Sequence, residues 1–101
     1  MPYPLTIVTD VSTAGTAVQI SNTPRRVLSI TFINPGTNTG NVYIGNDGTA
    51  DVSVTTGVTL ERGQSFTFDY GKYGFSVPIS DHWVDAAVNG EDIISGLVMF
   101  T

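Results

Sequence analysis

Every apolar segment of this chain is soon cut by a glycine or a cluster of turn-forming polar residues, and between the cuts the side chains alternate with a period of two. The run 64–70 shows it most clearly: Phe66, Phe68 and Tyr70 fall on one side, Ser65, Thr67 and Asp69 on the other. A period of two is the signature of a half-buried strand, because successive side chains leave a pleated backbone on opposite faces. Composition agrees. Val, Ile, Thr, Phe and Tyr are abundant and Leu, Lys, Glu and Ala sparse, which favours pleated surfaces over helices.

Strands are expected at 5–9, 16–20, 26–34, 41–45, 57–61, 64–70, 83–88 and 93–100. The segment 26–34 is the longest, with Val27 and Ile33 opposite Leu28, Ile30 and Phe32, so both its faces are apolar and it belongs at the centre of a sheet. Asn34-Pro35-Gly36 and Asn46-Asp47-Gly48 read as turns, and 49–56 as a loop with strand character. Arg62-Gly63 and Asn89-Gly90 read as tight hairpin turns, and Ser80 or Asp81 as the cap of a helical turn before Trp83. The expectation is an all-β chain, a small β-sandwich or jelly roll of about eight short antiparallel strands, with a compact barrel as the alternative. A single domain over 1–101 is expected, with an N-terminal arm over about residues 1–5, stiffened by Pro2 and Pro4 and ordered only by a neighbour.

Charge and composition exclude several functions. The net charge is -5, and the only cations are Arg25, Arg26, Arg62 and Lys72, too few to track a phosphate backbone, so no nucleic-acid partner is expected. Cysteine is absent, which removes disulfides, thiolate chemistry and Cys-ligated zinc. No apolar stretch approaches the roughly 18 to 20 residues that span a bilayer, and the N-terminus does not read as a signal peptide. Synthesis in the cytoplasm of the expressing cell and no membrane partner follow as expectations.

Polar residues offer little chemistry. His82 is the only histidine and lies beside Asp81, but no Gly-x-Ser-x-Gly elbow accompanies it, and neighbours along a strand point to opposite faces. Asp47, Asp51, Glu61, Asp69, Asp81, Asp85, Glu91 and Asp92 are scattered through turns and exposed strand positions, where solvation explains them. Asn46-Asp47-Gly48 with Asp51 supplies oxygen ligands suited to calcium but lacks the spacing of an EF-hand loop. Lys72, the lone lysine, would need an apolar pocket to form an isopeptide bond, and glycines around Lys72-Tyr73 point to an exposed loop. No catalytic residue, metal or cofactor is expected. Phe32, Phe66, Phe68 and Phe100 fit a core, whereas Pro2, Tyr3, Tyr70, Tyr73, Phe75 and Trp83 are the candidate interface residues, since Tyr and Trp bury much area while fixing few torsions.

The order of motifs adds a resemblance. Gly40-Asn41-Val42-Tyr43-Ile44-Gly45, then the turn from Gly57 through Leu60 and Gly63 to Gln64-Ser65, then a late aromatic segment running into Asn89-Gly90-Glu91-Asp92 before a last apolar strand cover about half the chain. In that order they resemble small virion proteins of tailed bacteriophages, of the capsid decoration or cement type. The resemblance implies a β-sandwich or jelly-roll module without enzymatic activity, bound as a homotrimer to the major capsid protein on the capsid surface. The alternative is a tail or fibre recognition module or a carbohydrate-binding β-sandwich domain, using the same aromatics as a stacking platform.

Overall fold

The computed structural model describes residues 3–53 and 55–99, with Tyr3 placed by its backbone alone. Its strands are β1 (Tyr3–Val11), β2 (Val18–Gln19), β3 (Arg26–Ile33), β4 (Val42–Gly45), β5 (Val58–Leu60), β6 (Ser65–Asp69), β7 (Val77–Pro78), β8 (Trp83–Ala86) and β9 (Glu91–Met99). The ladders are nested. β1 pairs with β9, β2 with β8, β3 with β6 and β7, and β4 with β5, all antiparallel. The chain is therefore one long antiparallel ribbon, doubled back at the loop 46–57.

Two further ladders, β3 with β9 and β4 with β8, close the wound ribbon into sheets ordered β1-β9-β3-β6, with β7 also on β3, and β2-β8-β4-β5. This is the winding of a jelly roll. Between the sheets lies a core that includes Val11, Val27, Ile30, Phe32, Val42, Ile44, Val84, Ile93, Leu97 and Met99, nearly or wholly removed from water.

Winding changes the meaning of two turns. Gly63 and Gly90 have φ of 85° and 78°, the left-handed backbone that glycine adopts without steric penalty, as a hairpin reading of Arg62-Gly63 and Asn89-Gly90 requires. Yet β5 and β6 lie in different sheets, as do β8 and β9. Both turns are corners that carry the chain from sheet to sheet, because the partner of each strand comes from the other arm of the ribbon.

At each corner the two arms hold each other. Gly90 N–H donates to Val11 O at 2.8 Å, Ile20 N–H to His82 O at 3.1 Å, and Ile79 N–H to Arg25 O at 2.7 Å. The corner after β3 is the most heavily bonded. Asn34 N–H donates to Gln64 O at 2.9 Å, and Asn34 O accepts from Gly63 N–H at 2.7 Å. The Asn34 side chain, fully buried, donates to Gly40 O and Leu60 O and accepts from Asn38, whose amide also donates to Asp92 O at 2.7 Å. Gly40 O, Leu60 O and Asp92 O, carbonyls that the bend takes out of the ladders, thus find partners.

Other expectations shift in detail. β1 and β9 are longer than β3, although β3 does sit between two neighbours in its sheet. A register shift between Val27 and Ser29 inserts one residue against β9, which turns Val27 inward with Ile30 and Phe32 instead of opposite them. The arm expected over 1–5 is, from Tyr3 onward, part of β1: Tyr3, Pro4 and Leu5 pair with Met99, Val98 and Leu97. Met1 and Pro2 lie outside the described residues, as does Phe100. A 3-10 turn does precede Trp83, over Ile79–Asp81, but Ser80 and Asp81 lie inside it and no side chain caps it.

Replacing Asn34 by Ala leaves Gly40 O, Leu60 O and the Asn38 amide without this partner. Asn34→Ala is expected to lower the unfolding free energy by about 2 to 4 kcal/mol. Urea denaturation measures it, and a loss below about 0.5 kcal/mol would mean that this corner does not hold the roll.

Candidate functional site

Between β6 and β7 the chain leaves the sheet in a 3-10 turn over Gly71–Tyr73, closed by Gly74 in the left-handed conformation. Three backbone bonds fix this turn: Tyr73 N–H and Phe75 N–H both donate to Tyr70 O, at 3.0 and 3.2 Å, and Gly74 N–H donates to Gly71 O. The result is a rigid apex carrying Tyr73, 72% exposed, and Phe75, 52% exposed. Leu28, Gly71, Gly74, Phe75 and Ser76 line a shallow pocket of about 370 Å3 beside it. Arg26 braces the far side, its guanidinium donating to Ser76 Oγ at 2.8 Å and Ser76 O at 2.6 Å. Lys72 Nζ sits 5.7 Å from the centre of the Tyr73 ring.

Tyr70 belongs beneath this apex instead of on it. Its ring is 6% exposed, stacks on Phe68 at 6.1 Å and meets Phe75 at 5.7 Å, so one side chain links the exposed aromatics to the core. Its hydroxyl lies 2.8 Å from His82 Nε2 and accepts from Asn46 Nδ2 at 2.9 Å. The other imidazole nitrogen, Nδ1, lies 3.1 Å from Ile79 O, and a carbonyl can only accept. Nδ1 therefore carries the proton, and Nε2 accepts from the Tyr70 hydroxyl.

His82 is fully buried among Phe32, Phe68 and Tyr70, with ring centres 5.8 to 6.2 Å away. Burial lowers its pKa below the ordinary 6.5, against the smaller opposing effects of the backbone at Ile79 and Pro78 and of Asp81. Burial likewise raises the Tyr70 pKa, with the Asn46 bond opposing it. A histidine with both nitrogens engaged inside a core offers no base to a substrate. Asp81 does not orient it; its own backbone oxygen accepts from Gly48 N–H.

The carboxylates divide. Asp85 and Glu91 are buried, not solvated. Asp85 Oδ1 accepts from Gly15 N–H and Ala86 N–H, because the segment after β1 folds over it. Glu91 Oε1 accepts from Thr39 N–H, Thr39 Oγ1 and Gly40 N–H at 2.7 to 2.9 Å. Burial pushes the Glu91 carboxyl up, but these donors outweigh it and hold the pKa below the usual carboxylate range. Asp47 and Asp51 share the single hydroxyl proton of Thr49, whose Oγ1 lies 2.9 and 2.6 Å from them, and among the described residues no three His, Asp or Glu side chains converge as metal ligands. Lys72 is exposed, not set in the apolar pocket that isopeptide chemistry requires.

The structure therefore separates the candidate interface residues. Tyr73 and Phe75 share the apex. Tyr70 supports it from inside. Trp83 is half-buried on the other sheet, opposite Gly45 on β4, with its indole nitrogen enclosed and without a hydrogen-bond partner among the described residues. Pro2 and the Tyr3 side chain lie outside the described residues. The buried role of His82 was open to a parity reading: Val84 and Ala86 face the core, and stepping back by two reaches His82.

No protein-family model matches the chain, and no curated protein matches it by sequence. Solved structures do share its fold. A chain from Bacillus endospore appendages, which form a novel family of disulfide-linked pili, aligns over 100% of this chain and 87% of its own at 15% identity and TM-score 0.54. A chain from the virus-like particle of the giant freshwater prawn Macrobrachium rosenbergii extra small virus aligns over 98% of this chain and 77% of its own, at 13% identity and TM-score 0.50. At such identities the likeness is one of fold.

The buried imidazole predicts a pH dependence. Well above pH 6.5 neither folded nor unfolded His82 binds a proton, and stability is constant with respect to it. Below that value the unfolded chain takes up a proton that the folded core refuses, so stability falls by up to about 1.4 kcal/mol per pH unit until the lowered folded pKa is reached. Urea midpoints measured downward from about pH 7.5 should show this fall, and His82→Gln should remove it while leaving the further loss at lower pH, where Glu91 protonates. Superimposable profiles for the two proteins would refute the assignment.

Proposed function

We propose that the chain is a non-enzymatic structural protein of a tailed-phage virion, a decoration or cement subunit that binds the major capsid protein on the capsid surface as a homotrimer. The observation that carries this reading is the apex of Tyr73 and Phe75, two exposed aromatics held on a backbone-bonded turn and tied through Tyr70 to the core. Exposed aromatics on a rigid support suit adhesion, because little conformational freedom remains to be lost on contact. Catalysis lacks comparable support, since the only histidine is consumed inside the fold. Disulfide-linked pili and a virus-like particle provide the fold precedents. The absence of cysteine means that any such assembly of this chain is held by surface contacts and not by disulfides. Linking copies in a trimer lets modest contacts act together, with gains of about 100-fold or more in avidity. Synthesis in the host cytoplasm fits this role.

A recognition module of a tail fibre or a carbohydrate-binding domain is the second reading, favoured by the shallow pocket beside Phe75. Cosedimentation with capsids lacking the protein separates the two. Wild-type protein is expected to bind and to raise capsid resistance to heat or chelators, and the Tyr73→Ala, Phe75→Ala double variant to bind at least about tenfold more weakly with its melting curve unchanged. Failure of the wild type to bind capsids, with selective retention on a glycan array that the double variant loses, would transfer the apex to sugar recognition.

A further inference from the structure

The outward face of the β1-β9-β3-β6 sheet does not look like a face made for water. An antiparallel sheet with one solvated side alternates apolar and polar residues. Here the outward positions include Val8 on β1, Ile94 and Val98 on β9 and Ile33 on β3, with Val8 61% exposed. The outward positions between them are Thr6, Gly96, Ser29, Thr31, Ser65 and Thr67, and Thr31 and Thr67 bond to each other at 2.8 Å. No formal charge lies among these residues. Asp10 and Asp92 stand at one end of the face, and Asp69 and, beyond the bulge, Arg26 at the other.

Gly96 sits at the middle, between Thr6 and Thr31. A glycine inside a strand costs about 0.5 to 1 kcal/mol relative to a residue with a side chain, and is kept where a bulge, a bend or a close approach demands it. This one has no positive φ, no register shift is recorded at it, and among the described residues no atom lies within 4 Å of where its Cβ would be. The fold of the single chain gives no reason for it. Close approach of something outside the chain does.

We infer that this face receives a second copy of the chain, with Gly96 at the point of closest approach. The homotrimer proposed above supplies that occupant, and charge selects the surface. Each copy carries -5, so copies repel through surfaces rich in carboxylates and meet most readily across one that keeps them at its margins. A basic partner would gain more from the acidic surfaces. Four strands about 4.8 Å apart over about seven residues cover on the order of 450 Å2, so the contact buries about 900 Å2 in all, small for a specific interface and weak for an isolated pair. Such a contact gains strength when copies are held together. The inference deepens the assembly reading above by naming the surface through which copies meet.

Sedimentation velocity of the full chain over a rising concentration series tests it, with Gly96→Thr and Val8→Lys as variants. The wild type is expected to self-associate and both variants to do so at least tenfold more weakly, with unchanged circular dichroism. Gly96→Thr should melt at or above the wild-type temperature, since threonine favours strands and no described atom obstructs it. A wild type that stays monomeric throughout, or variants that associate as it does, would overturn the inference. Capsid cosedimentation of the same proteins keeps the two readings apart. Self-association without capsid binding removes the virion role and leaves the face standing, whereas a monomeric wild type whose capsid binding is lost in Gly96→Thr gives the face to the capsid protein.

Discussion

Everything in this structure depends on the pairing of two distant arms of one ribbon, and that pairing is secured where the ribbon bends. A flat ladder between β1 and β9 alone would be an open two-stranded hairpin, marginal in water. Bending it through the corners at Asn34, Arg25 and Val11 brings β9 against β3 and β8 against β4, and only then do the two apolar faces enclose a core. Bends expose backbone groups that have left one ladder and not yet joined the next. The paired arm supplies partners for some of them, and Asn34, Asn38 and Glu91 for others. Buried polar side chains are costly unless satisfied, so these residues stabilise the roll only as a complete set.

His82 extends the same logic into the core. It sits at the end of the 3-10 turn before β8, where Ile79 O accepts from its backbone N–H and, as a second bond, from its Nδ1 proton. Its second nitrogen then needs a donor in a place closed to water, and Tyr70 provides one. Tyr70 in turn accepts from Asn46, beside the loop that closes the ribbon, and its backbone oxygen holds the aromatic apex. One chain of bonds therefore joins three regions far apart in sequence. A neutral imidazole is the condition for it, because a charged one could no longer accept from the Tyr70 hydroxyl.

Much of this was legible in the residues and some was not, for physical reasons. Alternation places β4 and β9 because each has one face on the core; along β6 it gives parity but not depth, since Phe68 packs against the core while Phe66, expected there, is 39% exposed at the sheet edge. Turn chemistry locates Gly63 and Gly90 because the left-handed backbone is a local requirement. Local chemistry says nothing of where the next strand goes, so a corner and a hairpin look alike. The bulge at Leu28 is invisible for a related reason, since a single added residue reverses parity without altering composition. The corner locks escape because their partners are remote: Asn38 reaches Asp92 across 54 residues, and a lone Asn carries no mark of what it will meet.

The surfaces left by this construction have different origins, and that bears on what they can do. The apex of Tyr73 and Phe75 is an excursion from the roll, tied down by its backbone bonds, by Tyr70, by Asp69 and by the Arg26 brace on Ser76, and not by a sheet. The outward sheet face is held differently, because β1, β9, β3 and β6 must also supply the inner face, and each outward side chain is set by the pleat. Water-facing strands of an acidic chain would be expected to place charges there. This face instead has aliphatic, hydroxyl and glycine residues between its charged margins, while the apex is an addition that leaves the sheets intact. A surface the fold leaves open and a surface the fold leaves unexplained are separate invitations to contact. The assembly role proposed for this chain would use both, one for its own kind and one for what it is laid upon.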